Sequence, residues 1–442
     1  METLSRQPLG GFDPITYLPD RQQFLVDYKP VPGTQLVMMT LSNGKQFNEL
    51  LRAIGHEHSD EFMRAGVQRL RDALVPGCII YHVSNLSFAF MLPDGASPEL
   101  LRKIIEHFQQ PLICGHIPVM ADIAIGIADC TDASAAFVLR AALAAVQDSR
   151  DSGRGWARYN RKTDTAHQRG FLLLSQLNNA MQADDQLTLH FQPKYAMASG
   201  RLTSAEALLR WQHPVFGAIS PAEFVPLAEA TAHIHPLTDW VLRHANAQAG
   251  AWTAKGMELN IAINISPRNL TRRGFAARIA EILQLHGVRP SSIELEFTEG
   301  VLVSTDHAVL DELRALRDTG IRIALDDFGT GFANFSYITH LPADIIKIDK
   351  SFIQKISSDE RSAMVVRALI ELAHRLDYSV VAEGIETEKV FALLASWNCD
   401  EGQGFYMSPP LDAVRFAERV SLRNITGDLN EMKLVDFITV QE

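Results

Sequence analysis

Carboxylate and amide side chains end several short apolar segments in the second half of this sequence. Asp326 and Asp327, for example, directly follow the run I-R-I-A-L. Oxygen ligands without cysteine or clustered histidine favour Mg²⁺ or Mn²⁺ over zinc. Carboxylates that are buried together must be protonated, paired with bases or bound to metal. If the fold brings them together, these side chains predict a metal site. The candidate ligands are Glu206, Asn264, Glu296, Asp326, Asp327 and Glu383.

The chemistry that such a site would support is phosphoryl displacement. Two hard cations about 3.5–4 Å apart lower the pKa of a shared water and stabilise the attacking and leaving oxygens. Asp326 and Asp327 suit one ion each, because consecutive residues at a strand end diverge. Lys347 shares a strand face with Asp349 and would orient the water or meet charge that develops on the phosphate. Glu383 would either ligate metal or accept a proton, and the sequence leaves both roles open.

Each of these residues also has an ordinary structural explanation. A single Glu or Asp at a strand end is more often a helix cap or part of a surface salt bridge than a metal ligand. The run from Asp326 to Gly329 is compatible with a simple turn, and Arg210 with a structural ion pair. The joint occurrence of the candidates favours a site. So does their spacing, because Glu206 and Arg210 share one strand face.

The segments that carry these residues form a regular series of strands separated by helices. Such a series predicts an α/β fold with a TIM-like (β/α)8 barrel, in which the working groups lie at the C-terminal ends of the strands. The predicted strands are 187–192, 204–211, 260–266, 293–298, 322–328, 345–349, 379–383 and 402–407.

The first part of the chain reads as a separate α+β domain. Its predicted strands at 35–41, 78–81, 88–92 and 123–128 alternate with helical patterns such as 140–148. A polar stretch at 150–170 is the predicted boundary. We therefore assign residues 10–160 to the first domain, 161–182 to a connecting helix and 171–420 to the barrel, and we give 421–442 no role.

Composition limits the partners and the setting. The chain has 442 residues and a formal net charge of −11, with no Lys- or Arg-rich run, so a nucleic-acid partner is not expected. An acidic protein that handles an anionic phosphodiester needs metal cations. The four cysteines form no C-x-x-C pair, and the apolar runs are too short for a membrane segment. These features favour a reducing cytoplasm.

At these residues a family resemblance becomes specific. Residues 171–419 resemble the EAL family of cyclic di-GMP phosphodiesterases through E-A-L-L-R-W, N-I-S-P, D-D-F-G-T-G, K-I-D-K-S-F, A-E-G-I-E-T and Q-G-F-Y-M-S-P-P-L, in the family's order. The resemblance implies hydrolysis of cyclic di-GMP to linear pGpG at a two-metal site of Mg²⁺ or Mn²⁺. It implies metal binding by the six candidates above, with Lys347, Asp349, Glu383 and Gln403 around the water and phosphate.

The same resemblance implies substrate contacts and an assembly. Gln192 and Arg210 would contact the substrate. Glu299 would steady a loop at 329–337 that helps to form a homodimer. Gly300 stands where the family usually has a small polar residue, which would loosen the support of that loop.

The first domain resembles the GGDEF family of diguanylate cyclases, but its signature is absent. D-P-I-T-Y-L-P-D-R from Asp13 and A-I-G-I-A from Ala124 carry the resemblance, whereas the signature positions read S-N-L-S-F. Counting from Gly55 puts Asn43 at the family's metal aspartate. A site without carboxylates cannot hold the cations that phosphoryl transfer needs, so we expect no cyclase activity and a regulatory role.

Two other functions compete with hydrolysis. The chain would otherwise be a receptor that binds cyclic di-GMP without cutting it and signals through a dimer or a protein partner. Receptors in the family usually lose metal ligands, whereas this chain keeps them. A scaffold without any nucleotide role is the weaker alternative.

Overall fold

The computed structural model describes residues 11–130, 134–299, 307–329 and 342–426, with secondary structure only for 422–426. The chain divides into two compact units, Met1–Arg169 and Gly170–Glu442. This division falls inside the predicted connecting helix, which extends over Arg161–Gln182. Within the described ranges, no helix combines the length and the apolar character that a membrane crossing requires.

The first unit contains seven strands and four helices before the connecting helix, counted over its described residues. Its strands are β1 Gln35–Thr40, β2 Ile80–Ser84, β3 Ser87–Leu92, β4 Leu112–Cys114, β5 Ile117–Val119, β6 Ala124–Asp129 and β7 Trp156–Arg158. Its helices are α1 Arg21–Asp27, α2 Gly44–Ala73, α3 Pro98–His107 and α4 Ala135–Ser152, and the connecting helix is α5.

The predicted α+β architecture of this unit is confirmed. Five strands form one sheet in the order β2-β3-β1-β6-β7, with β1 antiparallel to both of its neighbours. Side chains alternate across β1, so that Val37 enters one apolar core and Leu36 enters another. Both faces of the sheet are therefore covered. Strand β7 and the short β4–β5 hairpin were not predicted from the sequence.

Close packing against helix α4 explains the glycine of the A-I-G-I-A motif, Gly126. It lies in β6 within A-I-G-I-A, and a Cβ atom there would lie 2.1 Å from the Ala142 carbonyl oxygen of α4. Only glycine lets this helix approach the strand so closely.

The second unit contains nine strands over its described residues. They are β8 Leu187–Ala196, β9 Leu202–His213, β10 Gly217–Ile219, β11 Asn260–Asn264, β12 Ile293–Thr298, β13 Arg322–Phe328, β14 Ile345–Ile348, β15 Ser379–Ala382 and β16 Glu401–Gly402. The helices are α6 Pro221–Glu229, α7 Ile234–Ala254, α8 Pro267–Leu270, α9 Phe275–His286, α10 His307–Asp318, α11 Lys350–Ile353, α12 Glu360–Arg375, α13 Glu388–Ser396 and α14 Ala413–Thr426, with a 3₁₀ turn at Pro290–Ser292.

The predicted eight-stranded barrel is confirmed, with one strand reversed. The strands run β9-β11-β12-β13-β14-β15-β16-β8, and β8 pairs back with β9 to close the ring. Strand β8 is antiparallel to both neighbours, whereas the other pairs in the ring are parallel. The connection from Ala196 to Leu202 is too short for the crossover that a parallel pair needs. A hairpin therefore starts the barrel.

The last barrel strand is shorter than predicted. The sequence suggested 402–407, but β16 covers only Glu401–Gly402. A Cβ atom on Gly404 would lie 2.1 Å from the carbonyl oxygen of Ile385. The chain therefore turns against a neighbouring backbone at this point instead of continuing as a strand.

Strand β12 shows how the barrel separates its two faces. Ile293, Leu295 and Phe297 enter the apolar core outside the ring, which also contains residues of the surrounding helices such as Ile279. The alternate residues Glu294 and Glu296 are fully buried on the opposite face. The period of two along a strand thus directs the carboxylates into the barrel interior.

Candidate active site

The ammonium group of Lys347 lies among four carboxylates that different strands bring together. Its Nζ is 2.6 Å from both Glu296 Oε2 and Glu383 Oε1. It is 3.0 Å from Asp326 Oδ1 and 3.9 Å from Glu206 Oε2. Because Lys347 is fully buried, water does not screen these contacts. Five of the candidate residues from the sequence therefore form one cluster.

Amide side chains orient Glu206. Asn264 Nδ2 donates to Glu206 Oε1 at 2.7 Å, and Gln403 Nε2 donates to Glu206 Oε2 at 2.6 Å. The same Gln403 amide contacts Gln192 Oε1 at 2.8 Å. Gln192 in turn donates to the carbonyl oxygen of Ser408 at 3.0 Å. Asn264 and Gln403 thus hold one oxygen each of the Glu206 carboxylate, and Gln192 is linked to this carboxylate through Gln403.

Asp326 and Asp327 lie at an irregularity of strand β13. The register with β14 shifts between Leu325 and Phe328, and Asp327 has a positive φ of 54°. One oxygen each from Asp326, Asp327 and Glu383 lie within 4.8 Å of one another. The sequence suggested that the two aspartates diverge to one ion each, whereas this geometry also lets one cation contact both.

Two further candidates lie beside the cluster. Asp349 caps the short helix α11, where its Oδ1 accepts from the backbone nitrogen of Ser351 at 2.9 Å. Its charge contributes to the raised pKa of Asp327, for which burial is the larger cause. Glu299 Oε2 accepts from the backbone nitrogen of Gly329 at 3.0 Å. The rest of the predicted loop at 330–337 and Gly300 lie outside the described residues.

Arg210 lines a cavity of about 390 Å³ next to the cluster. Asn264, Glu296 and Pro221 line the same cavity. The Arg210 guanidinium donates to the carbonyl oxygen of Leu209 at 2.8 Å, and the charge of Glu206 acts on it without an ion-pair contact among the described residues. A structural ion pair at Arg210 is therefore not seen in the part of the barrel that the structure describes.

Burial and charge act in opposite directions on the carboxyl groups. Burial alone would raise the pKa of Glu296, but the charges of Lys194 and Lys347 lower it to about 2. Burial raises the pKa of Glu383 to about 8, because Lys347 offsets only part of the effect and neighbouring acids add to it. Burial also raises the pKa of Glu206 and Asp326. Burial therefore favours the protonated forms of Glu206, Asp326 and Glu383, and the lysines offset only part of this effect.

Lys347 responds in the opposite sense to its surroundings. Burial would lower its pKa, but Glu206, Glu296 and Glu383 raise it well above the usual lysine value. The lysine is therefore a permanent cation at the centre of the site.

The sequence did not point to Lys194 and Glu294. Both are fully buried, and Lys194 Nζ lies 2.7 Å from Glu294 Oε1 and 2.6 Å from Glu296 Oε1. A signal was present, because Glu294 precedes Glu296 by two residues and must share its strand face. The contact with Lys194 has no local signal, since the two segments are about a hundred residues apart.

Two family models match the chain. The model for "EAL domain" matches residues 174–410, and the model for "Diguanylate cyclase, GGDEF domain" matches residues 11–155. Among curated proteins, "Cyclic di-GMP phosphodiesterase PA2567" of Pseudomonas aeruginosa is 40% identical over 82% of this chain and 63% of its own length. "Cyclic di-GMP phosphodiesterase PdeR" of Escherichia coli is 31% identical over 92% of this chain and 63% of its own length. The chain spans about half to just under two thirds of the first such relatives.

Solved structures resemble the barrel. The complex "PaMucR Phosphodiesterase, c-di-GMP complex" is 37% identical, covers 55% of this chain and 99% of its own, and has a TM-score of 0.53. The cAMP- and cyclic-di-GMP-bound "EAL Enzyme Bd1971" is 28% identical over 69% of this chain and 82% of its own, with a TM-score of 0.55. The EAL model covers more than half of the sequence. The chain therefore belongs to the EAL domain family and carries a GGDEF domain ahead of its EAL domain.

Proposed function

We propose that this protein hydrolyses one phosphodiester bond of cyclic di-GMP to give linear pGpG, with two Mg²⁺ or Mn²⁺ ions at the barrel mouth. The observation that carries the proposal is the convergence of Glu206, Glu296, Asp326 and Glu383 on Lys347. Relatives named as cyclic di-GMP phosphodiesterases support the choice of substrate.

The donor set fits hard divalent cations. Carboxylate and amide oxygens are the ligands that Mg²⁺ and Mn²⁺ prefer. Burial raises the pKa values of Glu206, Asp326 and Glu383, so a bound cation would stabilise their ionised forms. When bound, such ions lower the pKa of a water and neutralise phosphate oxygens. The residues that would hold them are Glu206, Asn264, Glu296, Asp326, Asp327 and Glu383.

Lys347 would supply positive charge at the site, and Glu383 would bind or release a proton. Lys347 is a permanent cation, so it can stabilise negative charge that develops on the phosphate in the transition state. Glu383 has a pKa of about 8, so its carboxylate can hold a proton at neutral pH. Once that proton is lost, the carboxylate would act either as a ligand or as a proton acceptor. Asp349, whose charge acts on Asp327, would add to the negative charge around the attacking water.

Gln192, Gln403 and Arg210 would orient the substrate. Gln403 donates to both Gln192 and Glu206. Arg210 makes no ion pair in the described region and lines the adjacent cavity, so its guanidinium is available to a phosphate or a guanine edge.

The N-terminal domain is proposed to be inactive as a cyclase. Asn43 caps helix α2 and donates to Asp122 Oδ2 at 2.8 Å. Arg150 contacts the same oxygen at 2.7 Å and also binds Thr40. An arginine therefore already neutralises the carboxylate next to the position of the family's metal aspartate. The domain would regulate the barrel, and incubation with GTP and either metal should yield no cyclic di-GMP.

Assembly and setting complete the proposal. The contact between Glu299 and Gly329 would steady the loop through which two barrels form a homodimer. A cytoplasmic setting is favoured because Cys78, Cys114, Cys130 and Cys399 are all free thiols.

A turnover assay tests the central proposal. Wild type with Mg²⁺ or Mn²⁺ should convert cyclic di-GMP to pGpG, and Glu206→Gln should reduce the rate by at least about 10²-fold. Glu258→Gln is the matched control, because this exposed glutamate pairs only with Arg289 among described residues. If wild type leaves the substrate intact with both metals, with and without GTP, hydrolysis is wrong. Saturable binding without turnover would then favour the receptor function.

A further inference from the structure

A second charged cluster lies in the barrel interior beside the proposed metal ligands. Lys194 Nζ contacts Glu294 Oε1 at 2.7 Å, and Arg322 reaches Glu294 Oε2 at 3.2 Å. Lys194 and Glu294 are both 0% exposed, whereas Arg322 is partly exposed. No step of the proposed reaction uses these three residues.

Strand geometry explains why Lys194 reaches this depth. Residues 192 and 194 share one face of β8, and in the β8–β9 register Gln192 lies opposite Glu206 and Lys194 opposite Ser204. Because β8 is antiparallel to β9, Lys194 lies one step farther from the mouth than Gln192. On β12, Glu294 precedes Glu296 by the same step. Lys194 and Glu294 therefore form a layer below the candidate ligands.

Glu296 belongs to both clusters and divides its oxygens between them. Its Oε1 lies 2.6 Å from Lys194 Nζ, and its Oε2 lies 2.6 Å from Lys347 Nζ. We infer that Lys194 is a positioning residue that holds Oε1 of Glu296 and thereby directs Oε2 of the same carboxylate to the metal site. This inference rests on the proposed metal-dependent function.

Glu294 and Arg322 fix Lys194 in turn. A buried lysine has a flexible four-carbon stem and needs carboxylate partners on more than one side to stay in one place. Glu294 supplies the second partner, and Arg322 forms an ion pair of 3.2 Å with the other oxygen of Glu294, without a hydrogen bond. The series Arg322, Glu294, Lys194, Glu296 alternates in charge from the solvent edge to the metal ligands. Outer partners of this kind typically change metal affinity by about 10–100-fold when they are removed.

A purely structural role for the buried ions is the competing explanation. Buried ion pairs often contribute little net stability, and apolar replacements of whole pairs are frequently tolerated. Under that explanation Lys194 would affect folding but not the affinity of the mouth for metal. The two roles therefore separate when metal binding and stability are measured independently.

The test is Mn²⁺ titration of the full chain by calorimetry without substrate. The variants are Lys194→Met, the double variant Lys194→Met/Glu294→Gln, and Glu294→Gln, which keeps Lys194 on Glu296. Lys389→Met is the matched control, because this exposed lysine contacts only the Ser357 carbonyl among described groups. Thermal unfolding in EDTA reports stability for each variant.

We expect the dissociation constant for Mn²⁺ to rise about 10–100-fold in both Lys194 variants, and less in Glu294→Gln. Raised Mn²⁺ should restore most of kcat, with little change in KM for cyclic di-GMP. If the Lys194→Met variant does not fold, the Mn²⁺ affinities of the double variant and of Glu294→Gln test the inference. The inference is overturned if the variants bind Mn²⁺ like wild type, whatever their stability. If wild type itself binds no Mn²⁺, the proposed metal-dependent function fails together with the inference. If wild type binds Mn²⁺ and the variants bind it equally well, only the inference fails.

Discussion

The Nζ atom of Lys347 lies 2.6 Å from Oε1 of Glu383, inside a group of buried and partly buried acids. The positive charge of the lysine reduces the repulsion among these acids. The acids in turn raise the pKa of Lys347, so the lysine stays charged. Burial nevertheless keeps the pKa of Glu383 raised to about 8, because Lys347 offsets only part of that effect. This balance makes the cluster receptive to further cations and underlies the predictions that follow.

Replacing Lys347 should affect catalysis and metal binding differently. Lys347→Met should reduce kcat by about 10²–10³-fold, because a preorganised cation near the phosphate is lost. Its affinity for Mn²⁺ should not fall, since the lysine repels bound cations. Steady-state kinetics and Mn²⁺ titration check both outcomes, and Lys389→Met serves as the control. Weaker Mn²⁺ binding in Lys347→Met would contradict this view of the site.

Metal binding should be coupled to a proton. The folded pKa of Glu383 is about 8 against an ordinary value of 4.5. In the metal-free protein its stabilising contribution is therefore complete below pH 4.5 and is lost as the pH rises through about 8. A bound cation must displace this proton, so affinity for Mn²⁺ should increase up to about pH 8.

Calorimetry in two buffers of different protonation enthalpy measures that proton. Wild type should release protons at neutral pH, and Glu383→Gln should release fewer with a flatter pH dependence. Equal proton release by both proteins would show that Glu383 does not carry the proton.

Arg210 should matter for substrate more than for metal. Arg210→Met should lower kcat/KM by about 10-fold or more, because a charge-assisted contact to an anionic substrate is lost. Mn²⁺ affinity should remain at the wild-type level, since Arg210 contacts none of the candidate ligands directly. Kinetics at saturating metal, with Arg289→Met as an exposed control, make the comparison. A loss confined to metal affinity would remove Arg210 from the substrate site.

Two glycines should be intolerant of even a methyl group. Gly126→Ala and Gly404→Ala each place a Cβ 2.1 Å from a backbone oxygen, so a helix or a turn must shift. We expect each substitution to lower the free energy of unfolding of its own domain by about 1–3 kcal/mol. Gly33→Ala is the control that measures the cost of a positive φ without a steric clash, because a Cβ atom at Gly33 would meet nothing within 4 Å. Chemical denaturation followed by circular dichroism provides the measurement.

Most of the barrel follows from local patterns. Short apolar strands between helices predicted the ring, and the alternation of E-L-E on β12 placed Glu296 inside it. Glu206, Asp326 and Lys347 lie in one cluster, as the alternation of side chains along their strands led us to expect. The predicted last strand, 402–407, was wrong, because close contact between Gly404 and the Ile385 backbone overrides the strand pattern and β16 ends at Gly402.

The amino-acid sequence alone determined which oxygen-bearing residues occur and which strand faces carry them, because side-chain alternation is a local property of an extended chain. The tertiary structure decided how the charges are paired. Lys194 meets Glu294 and Glu296 across sequence separations of 100 and 102 residues. Such contacts depend on closure of the barrel, which brings together strands that are distant in sequence, and spacing within one segment does not encode that closure.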